Sequence, residues 1–269
     1  KLLHASKKIN TPKQLASSIT FKKNKKIGLK IRNIGEKILK GTIKELDNII
    51  KNEISLKVMN QYEHHPYPRW TKIALNNYPT DVVNSFNKID IKVDEDRIKN
   101  WSKINILVAG CGTGQHSIMT SSRFSNCSVL AIDLSKKSLA YAKIKTEEFK
   151  IKNIEYRNAD ILDLDNYDEK FDLIESCGVL HHMENPLLGW KILTKCLKPG
   201  GLMNIALYSD HARKDIVKIR KEIKKHKIAH DLSGIKSMRS IIKNSTKTHY
   251  QTVKKMQDFF SSSELRDLI

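Results

Sequence analysis

The stretch INILVAGCGTGQHS, residues 104–117, decides the fold of this chain. An apolar run leads directly into Gly110, Gly112 and Gly114, and a stretch compatible with a helix follows. Glycine has no Cβ atom, so the backbone can adopt positive φ there and a ligand can approach it closely. Three alternating glycines after a strand predict a ligand-binding turn at the carboxyl edge of a parallel sheet.

Outward from this loop, short apolar runs alternate with helical stretches, which is typical of an α/β sheet. The pattern predicts strands at Ile104–Val108, Val129–Ile132, Ile154–Arg157, Phe171–Glu175 and Gly201–Leu207. It predicts helices at about Gln115–Phe124, Lys136–Lys150, Pro186–Leu197, His211–Lys227, Ser233–Lys243 and Ser261–Leu268. We therefore expect an α/β, doubly wound, mostly parallel sheet with helical N- and C-terminal flanks.

Composition divides the 269 residues into four segments. We expect a basic helical N-terminal extension over residues 1–60, a lid or linker over 61–100, the ligand-binding core over 101–210 and a basic helical segment over 211–269. The chain ends in a helix that has barely begun, so we expect it to be truncated and the last strands of the sheet to lie beyond Ile269.

The formal net charge of +20 is unevenly distributed. Residues 1–60 carry 15 basic and 4 acidic side chains, residues 61–210 carry 19 of each, and residues 211–269 carry 15 and 6. Lysine outnumbers arginine 40 to 9, whereas arginine is the better residue for recognising phosphates in a bidentate manner. A nucleic-acid partner for the basic flanks stays open, but the sequence does not favour it.

Other compartments and chemistries have little support. The chain contains no apolar run of about 18 residues, so no membrane span and a cytoplasmic location are expected. The cysteines form no CxxC pair, which argues against a metal site and against a disulfide scaffold: Cys111, Cys127, Cys177 and Cys196.

The spacing around the glycine loop separates two classes of ligand. Gln115 stands where a dinucleotide fingerprint, GxGxxG, would have its last glycine. Asp133 ends the second strand 19 residues after Gly114, where a carboxylate can accept hydrogen bonds from both hydroxyls of an adenosine ribose. Asp160 follows the third strand, where it can meet the adenine amine. Together they predict an adenosine-containing cofactor, although each alone could also be a turn or cap residue.

A family resemblance follows from five motifs taken in order: VAGCGTG (108–114), LAID (130–133), NAD (158–160), FDLIESCGVLHHMENP (171–186) and LKPGGLMNIALYS (197–209). The chain resembles a class I S-adenosylmethionine-dependent methyltransferase. That resemblance implies a Rossmann-like fold and S-adenosyl-L-methionine as cofactor. More narrowly, QYEHHPYPRW (61–70) and DFFSSSELRDLI (258–269) resemble a bacterial group of these enzymes that is often joined to tetratricopeptide repeats.

The resemblance also implies which residues bind the cofactor. The glycines would pass beneath its methionine part, Asp133 would hold the ribose, Asp160 and Ile161 would frame the adenine, and the backbone of Cys177 would face the sulfonium. The full implied set is Ala109, Gly110, Cys111, Gly112, Gly114, Asp133, Leu134, Asp160, Ile161 and Cys177.

One position departs from the family pattern. Val108 stands where the family usually has an acidic residue, two positions before the first glycine. We therefore expect backbone carbonyls around Ala109 and Ser176 to take the ammonium group of the cofactor.

Methyl transfer needs a base only when the acceptor must lose a proton. His181 and His182 are the candidate catalytic residues, with capping of the following turn as the alternative. In the QYEHHPYPRW segment, Tyr62, Tyr67 and Trp70 are expected to wall the acceptor pocket. Arg69 is expected to meet an anionic group, and Tyr208 to line the same pocket. A purely structural strap is the alternative role for this segment.

The leading function is transfer of a methyl group to a small-molecule or protein acceptor. A nucleic-acid methyltransferase is the second hypothesis, weakened because ESCGVLHH stands where an NPPY-like base-flipping tetrad is expected. A non-catalytic cofactor-binding scaffold is the third.

Overall fold

The computed structural model describes residues 52–269, apart from 77, 89–93, 99–100, 210, 230, 263–264 and 267–269. The predicted N-terminal extension therefore lies outside the described residues up to residue 51, and the helix predicted at Ser261–Leu268 is described only in part. The chain divides into two compact units, Lys1–Leu56 and Lys57–Ile269.

Within the described residues, five strands form one parallel sheet in the order β3-β2-β1-β4-β5. They are β1 Ile104–Ala109, β2 Cys127–Asp133, β3 Ile154–Asn158, β4 Phe171–Cys177 and β5 Leu197–Ala206. This confirms the predicted Rossmann-like sheet. The strand order reverses between β1 and β4, which places the ligand crevice of such a fold at the carboxyl ends of these two strands.

Nine α-helices are described: α1 Glu53–His64, α2 Val82–Asn87, α3 Glu95–Ile98, α4 Gln115–Arg123, α5 Lys136–Glu148, α6 Pro186–Lys195, α7 Lys214–Lys225, α8 Leu232–Asn244 and α9 Thr248–Lys254. Short 3₁₀ helices span Ile161–Asn166, Leu180–His182 and Gln257–Phe260. Side-chain capping explains where three helices begin. The side chains of Ser135, Asn185 and Asp231 each accept a hydrogen bond from a backbone N–H in the first turn of α5, α6 and α8, respectively.

The central strands β1, β2 and β4 are buried on both faces. Side chains of successive strand residues point to opposite faces, so Ile106 and Val108 join one apolar cluster while Leu107 and Ala109 join another. This is why β1 reads as a nearly continuous apolar run rather than an alternating one.

The C-terminal helices form their own apolar cluster. Ile219 of α7, Met238 and Ile242 of α8, and Val253 of α9 are fully or almost fully buried in it. Many lysines of α7 are exposed on the opposite side, as expected for an amphipathic helix. Among the described residues, no helix combines the length and apolarity needed to cross a membrane.

The largest differences between predicted and observed element boundaries are at β5 and α1. β5 begins at Leu197 rather than Gly201, because Leu197 already pairs with Phe171 before an irregularity in the register. Helix α1 runs through His64, beyond residue 60 where the helical extension was predicted to end. The prolines at 66 and 68 restrict only their own positions and the residue before each, so they leave residues 61–64 free to remain helical.

Candidate functional site

The glycine loop lies at the carboxyl end of β1. Gly110, Gly112 and Gly114 have φ angles of 78°, 53° and 86°. A Cβ atom on Gly110 would come within 2.4 Å of the Val179 side chain, and one on Gly112 within 2.7 Å of the Tyr67 carbonyl oxygen. Both conformation and space therefore require glycine at these positions.

Asp133 joins the glycine loop to the end of β2. Its Oδ2 accepts a hydrogen bond from the Gly112 backbone N–H at 2.8 Å, and its Oδ1 accepts one from the Ser135 N–H at 2.9 Å. Burial raises the pKa of Asp133, and these two backbone donors oppose that rise. Each carboxylate oxygen has a second lone pair, so both can still accept a hydrogen bond from a ligand hydroxyl.

Asp160 and Ile161 follow β3, next to the end of β2. The backbone N–H of Ala159 donates to the Asp133 carbonyl at 3.3 Å, which ties the two strand ends together. The buried Asp160 side chain accepts from the Leu162 N–H at 3.0 Å and so caps the 3₁₀ helix. Asp160 therefore fills the cap role that the sequence left open, and its adenine contact stays a prediction.

The remaining residues of the predicted cofactor set surround this junction. Cys111 is buried, and burial followed by the Asp133 charge raises the pKa of its thiol well above the ordinary value, so the thiol stays protonated. The Leu134 carbonyl accepts from the Asn158 side chain at 2.8 Å. After Cys177, Gly178 has a φ of 76° and open space where a Cβ atom would point. The space next to Gly178 at the end of β4 is therefore open.

Residues 62–70, which we call the strap, cross the glycine loop. Trp70 is buried, and its Nε1–H donates to Thr113 Oγ1 at 3.1 Å. The Thr113 hydroxyl donates to the Pro68 carbonyl at 2.6 Å. The Tyr141 hydroxyl donates to the Trp70 carbonyl, and the Trp70 ring stacks on Phe149. Trp70 thus fastens the strap to the loop and to α5.

The strap also contacts the start of α5 and the segment after β4. Glu63 accepts from Ser135 Oγ at 3.0 Å and from the Lys137 N–H at 3.1 Å, at the start of α5. Tyr62 places its hydroxyl 3.3 Å from His182 Nε2. Glu63 and Thr113 are not among the predicted site residues, because their partners are distant in the chain and no local spacing signals them.

Tyr67 and Arg69 lie in the same strap. Tyr67 is half-buried with its carbonyl facing Gly112, whereas the Arg69 side chain is exposed. The walls of an acceptor pocket and an anion contact for Arg69 stay predictions. In the part of the chain that the structure describes, no group of three or more His, Cys, Asp or Glu residues is arranged to hold a metal ion.

His181, His182 and Tyr208 meet beyond β4 and β5. The His181 ring lies 3.9 Å from the Tyr208 ring and 4.3 Å from the His182 ring, measured between centroids. Both His181 nitrogens are buried without a hydrogen-bond partner among the described residues. Burial first, then the charges of His182, Arg213 and Arg220, lower the pKa of His181 to about 4. The imidazole is therefore neutral at neutral pH and a weaker base than an ordinary histidine.

A buried carboxylate that the sequence analysis missed lies under this edge. Glu175 on β4 accepts from His116 Nε2 at 3.1 Å, from the Arg123 guanidinium at 3.0 Å and from the Thr120 hydroxyl. Burial alone raises the pKa of Glu175, but the hydrogen bond and charge of His116 and the charge of Arg123 lower it to about 2. An acidic residue inside the apolar run FDLIESC was the signal for it.

A parallel sheet with a glycine loop after β1 and a bonded carboxylate after β2 defines a Rossmann-like nucleotide-binding domain. The model of a family described as "Methyltransferase domain" matches residues 101–259. The chain belongs to this family.

Individual relatives cover smaller parts of the chain. It is 32% identical over 128 residues to an uncharacterized protein of Synechococcus, covering 47% of this chain and 31% of the relative. It is 27% identical over 115 residues to (S)-coclaurine N-methyltransferase of Papaver somniferum, covering 43% of this chain and 32% of the relative. The chain thus spans about a third of the length of these curated relatives.

Among solved structures, the chain is similar to PKMT2 from Rickettsia typhi in complex with AdoHcy. The sequence identity is 24% and the TM-score is 0.48, with 59% of this chain and 33% of that chain covered.

Proposed function

We propose that this domain transfers a methyl group from S-adenosylmethionine to a small-molecule or protein acceptor. The single observation that carries the proposal is Asp133, whose carboxylate is held against the glycine loop with an acceptor position left on each oxygen. Membership in the methyltransferase domain family supports it. The relative (S)-coclaurine N-methyltransferase is named for a small-molecule acceptor, which favours that class.

The residues of the site fit the adenosyl group. Asp133 would hold the ribose, Asp160 and Ile161 the adenine with Leu134 beside them, and the backbone from Ala109 to Gly114 the methionine part. The bound cofactor supplies an already activated methyl group, so the protein has to bind and align rather than activate it. Gly178 leaves open space beside Cys177, where the methyl group and the acceptor would meet.

The acceptor side contains the candidate base. His181 is uncharged and its nitrogens make no hydrogen bond to a described residue, so it can take a proton from an acceptor hydroxyl or amine. His182 is oriented by Tyr62. Tyr67 and Tyr208 would line the pocket, and Arg69 would meet an anionic group at its exposed rim.

The strap and residues 258–269 are also the basis for placing the chain in the bacterial group that is often joined to tetratricopeptide repeats. This narrower membership is part of the proposal. Its support is the sequence resemblance of these two segments.

Thermal melting with and without S-adenosylhomocysteine tests the proposed function. A ligand at about 100 times its Kd stabilises a protein by about 2.7 kcal/mol, which raises the Tm of a chain this size by about 5–10 °C. A folded protein whose Tm does not rise would contradict cofactor binding. Turnover with panels of amine and hydroxyl acceptors then distinguishes an enzyme from a binding scaffold.

A further inference from the structure

Glu175 supplies a negative charge beside Val108, the position at which the family usually has an acidic residue. Val108 and Glu175 are paired in register on the neighbouring strands β1 and β4. Paired residues of neighbouring strands project to the same face of a sheet. The negative charge missing two residues before Gly110 is therefore present on the same face, one strand away.

Glu175 cannot itself reach a ligand. Its side chain is 1% exposed, Arg123 donates to Oε1, and His116 and the Thr120 hydroxyl both approach Oε2. Of the groups that bind it, His116 is the second residue of α4 and follows the glycine loop directly. The His116 side chain is 28% exposed, so part of the ring stays accessible while Nε2 contacts the buried carboxylate.

The chemistry of this contact determines what His116 offers. An ionised carboxylate can only accept hydrogen bonds, so Nε2 carries a proton and donates it to Glu175. When the ring holds only this one proton, Nδ1 presents a lone pair and accepts; the charged form of His116, which lowers the pKa of Glu175, has no acceptor nitrogen. The Ala109 carbonyl, a backbone acceptor at the same place, accepts the Ser176 hydroxyl at 3.1 Å and keeps one lone pair.

We propose that His116 Nδ1 accepts a hydrogen bond from the ammonium group at the amino-acid end of S-adenosylmethionine, with Glu175 as the positioning residue that fixes the imidazole. This inference rests on the proposed function. It assigns to a side chain the role that the sequence left to backbone carbonyls.

The test compares S-adenosylhomocysteine with three ligands by calorimetry: methylthioadenosine, which lacks the amino-acid end, and the decarboxylated and deaminated analogues of S-adenosylhomocysteine. A hydrogen bond to a charged group typically changes affinity by about 10- to 100-fold. For His116→Phe we expect that loss with S-adenosylhomocysteine and its decarboxylated analogue, and no loss with methylthioadenosine or the deaminated analogue. His116→Gln retains an acceptor and should restore part of the affinity.

Two further variants separate positioning from stability. Thr120→Val removes one hydrogen bond to Glu175 without touching His116, so it should lower the Tm and leave the ligand preferences unchanged. Glu175→Gln should reduce the preference for amine-bearing ligands, provided that the melting curve shows a folded protein. If Glu175→Gln does not fold, the His116 variants alone decide.

The outcomes distinguish this inference from the function. Equal losses with all four ligands, or losses that follow the carboxylate instead of the amine, would overturn the role of His116 while leaving cofactor binding intact. If the wild-type protein binds none of the ligands, both the inference and the proposed function are wrong.

Discussion

The carboxyl edge of the sheet has two halves that differ in how their polar groups are satisfied. After β1, β2 and β3, the side chains of Asp133, Asn158 and Asp160 all make short hydrogen bonds to neighbouring backbone. After β4 and β5, the ring nitrogens of His181 are buried with no hydrogen-bond partner among the described residues, and Gly178 faces open space. The hydrogen bonds of the first half therefore hold its side chains in place for the adenosine part of the cofactor. In the second half, an unbonded polar side chain remains available to the methyl acceptor.

The largest expected effect is a loss of turnover caused by a substitution in the half after β4 and β5. His181→Phe removes the candidate base while keeping a ring of similar shape, so turnover with a proton-losing acceptor should fall by about 10²- to 10⁴-fold. Calorimetry should show unchanged affinity for S-adenosylhomocysteine. The free energy of unfolding should rise by about 1 kcal/mol, because a buried unsatisfied polar group is lost.

The matched control is His182→Phe, which removes the contact with Tyr62 instead of an unpartnered group. It should not stabilise the protein. Full turnover in His181→Phe would show that this half aligns the acceptor without a base.

Acid should weaken the contacts of Glu175 with His116, Arg123 and Thr120. The pKa of Glu175 is lowered from 4.5 to about 2 in the folded protein. The stabilisation of the folded state by the ionised carboxylate is therefore fully present above pH 4.5 and is lost as the pH falls towards 2. The shift corresponds to about 3 kcal/mol of folding free energy. Urea unfolding at a series of acidic pH values measures it.

Glu175→Gln is the control for that series, because it cannot titrate. Its unfolding free energy should show a smaller loss over the same pH range. Identical acid profiles for the two proteins would mean that other carboxylates dominate.

The adenosine half should respond to Asp133→Asn. An amide nitrogen cannot accept, so one of the backbone donors or one ribose hydroxyl loses its partner. We expect affinity for S-adenosylhomocysteine to fall by about 30-fold, or about 2 kcal/mol. Asp165→Asn, at an exposed carboxylate paired with Lys195, is the control and should bind normally. Equal affinities for both variants would remove Asp133 from the site.

The smallest expected effect is a difference in stability between alanine variants at two glycines with similar backbone conformations. Gly112 and Gly178 both have positive φ, but only Gly112 has a backbone oxygen close to the position of a Cβ atom. Gly178→Ala should cost about 1 kcal/mol of stability from the left-handed conformation. Gly112→Ala should cost about 1 kcal/mol more, because the strap must shift. Urea unfolding measures both, and equal costs would show that the strap yields freely.

Much of the fold was predictable because its signals are local. The apolar run of β1, the helix caps at Ser135 and Asn185, and the glycines with positive φ are each written within a few neighbouring residues. The boundaries of β5 and α1 were less predictable, because strand pairing at Leu197 and helix continuation to His64 depend on neighbours in space.

The motif residues of the site were predictable, whereas the residues that hold them in place were not. The position of Asp133 follows from strand length and spacing, and its bond to Gly112 confirms that it faces the glycine loop. Glu63, Thr113 and His116 gave no local signal, since their partners lie on other elements.

The amino-acid sequence by itself determined a parallel sheet with a side-chain-free turn at one edge, because strand periodicity and glycine conformation are properties of short segments. Only the tertiary structure decided that Trp70 fastens the strap onto that turn, that Glu175 takes its place beside Val108, and that His181 is left neutral and unbonded. Those outcomes depend on burial and on contacts between distant residues, and both arise only when the chain packs.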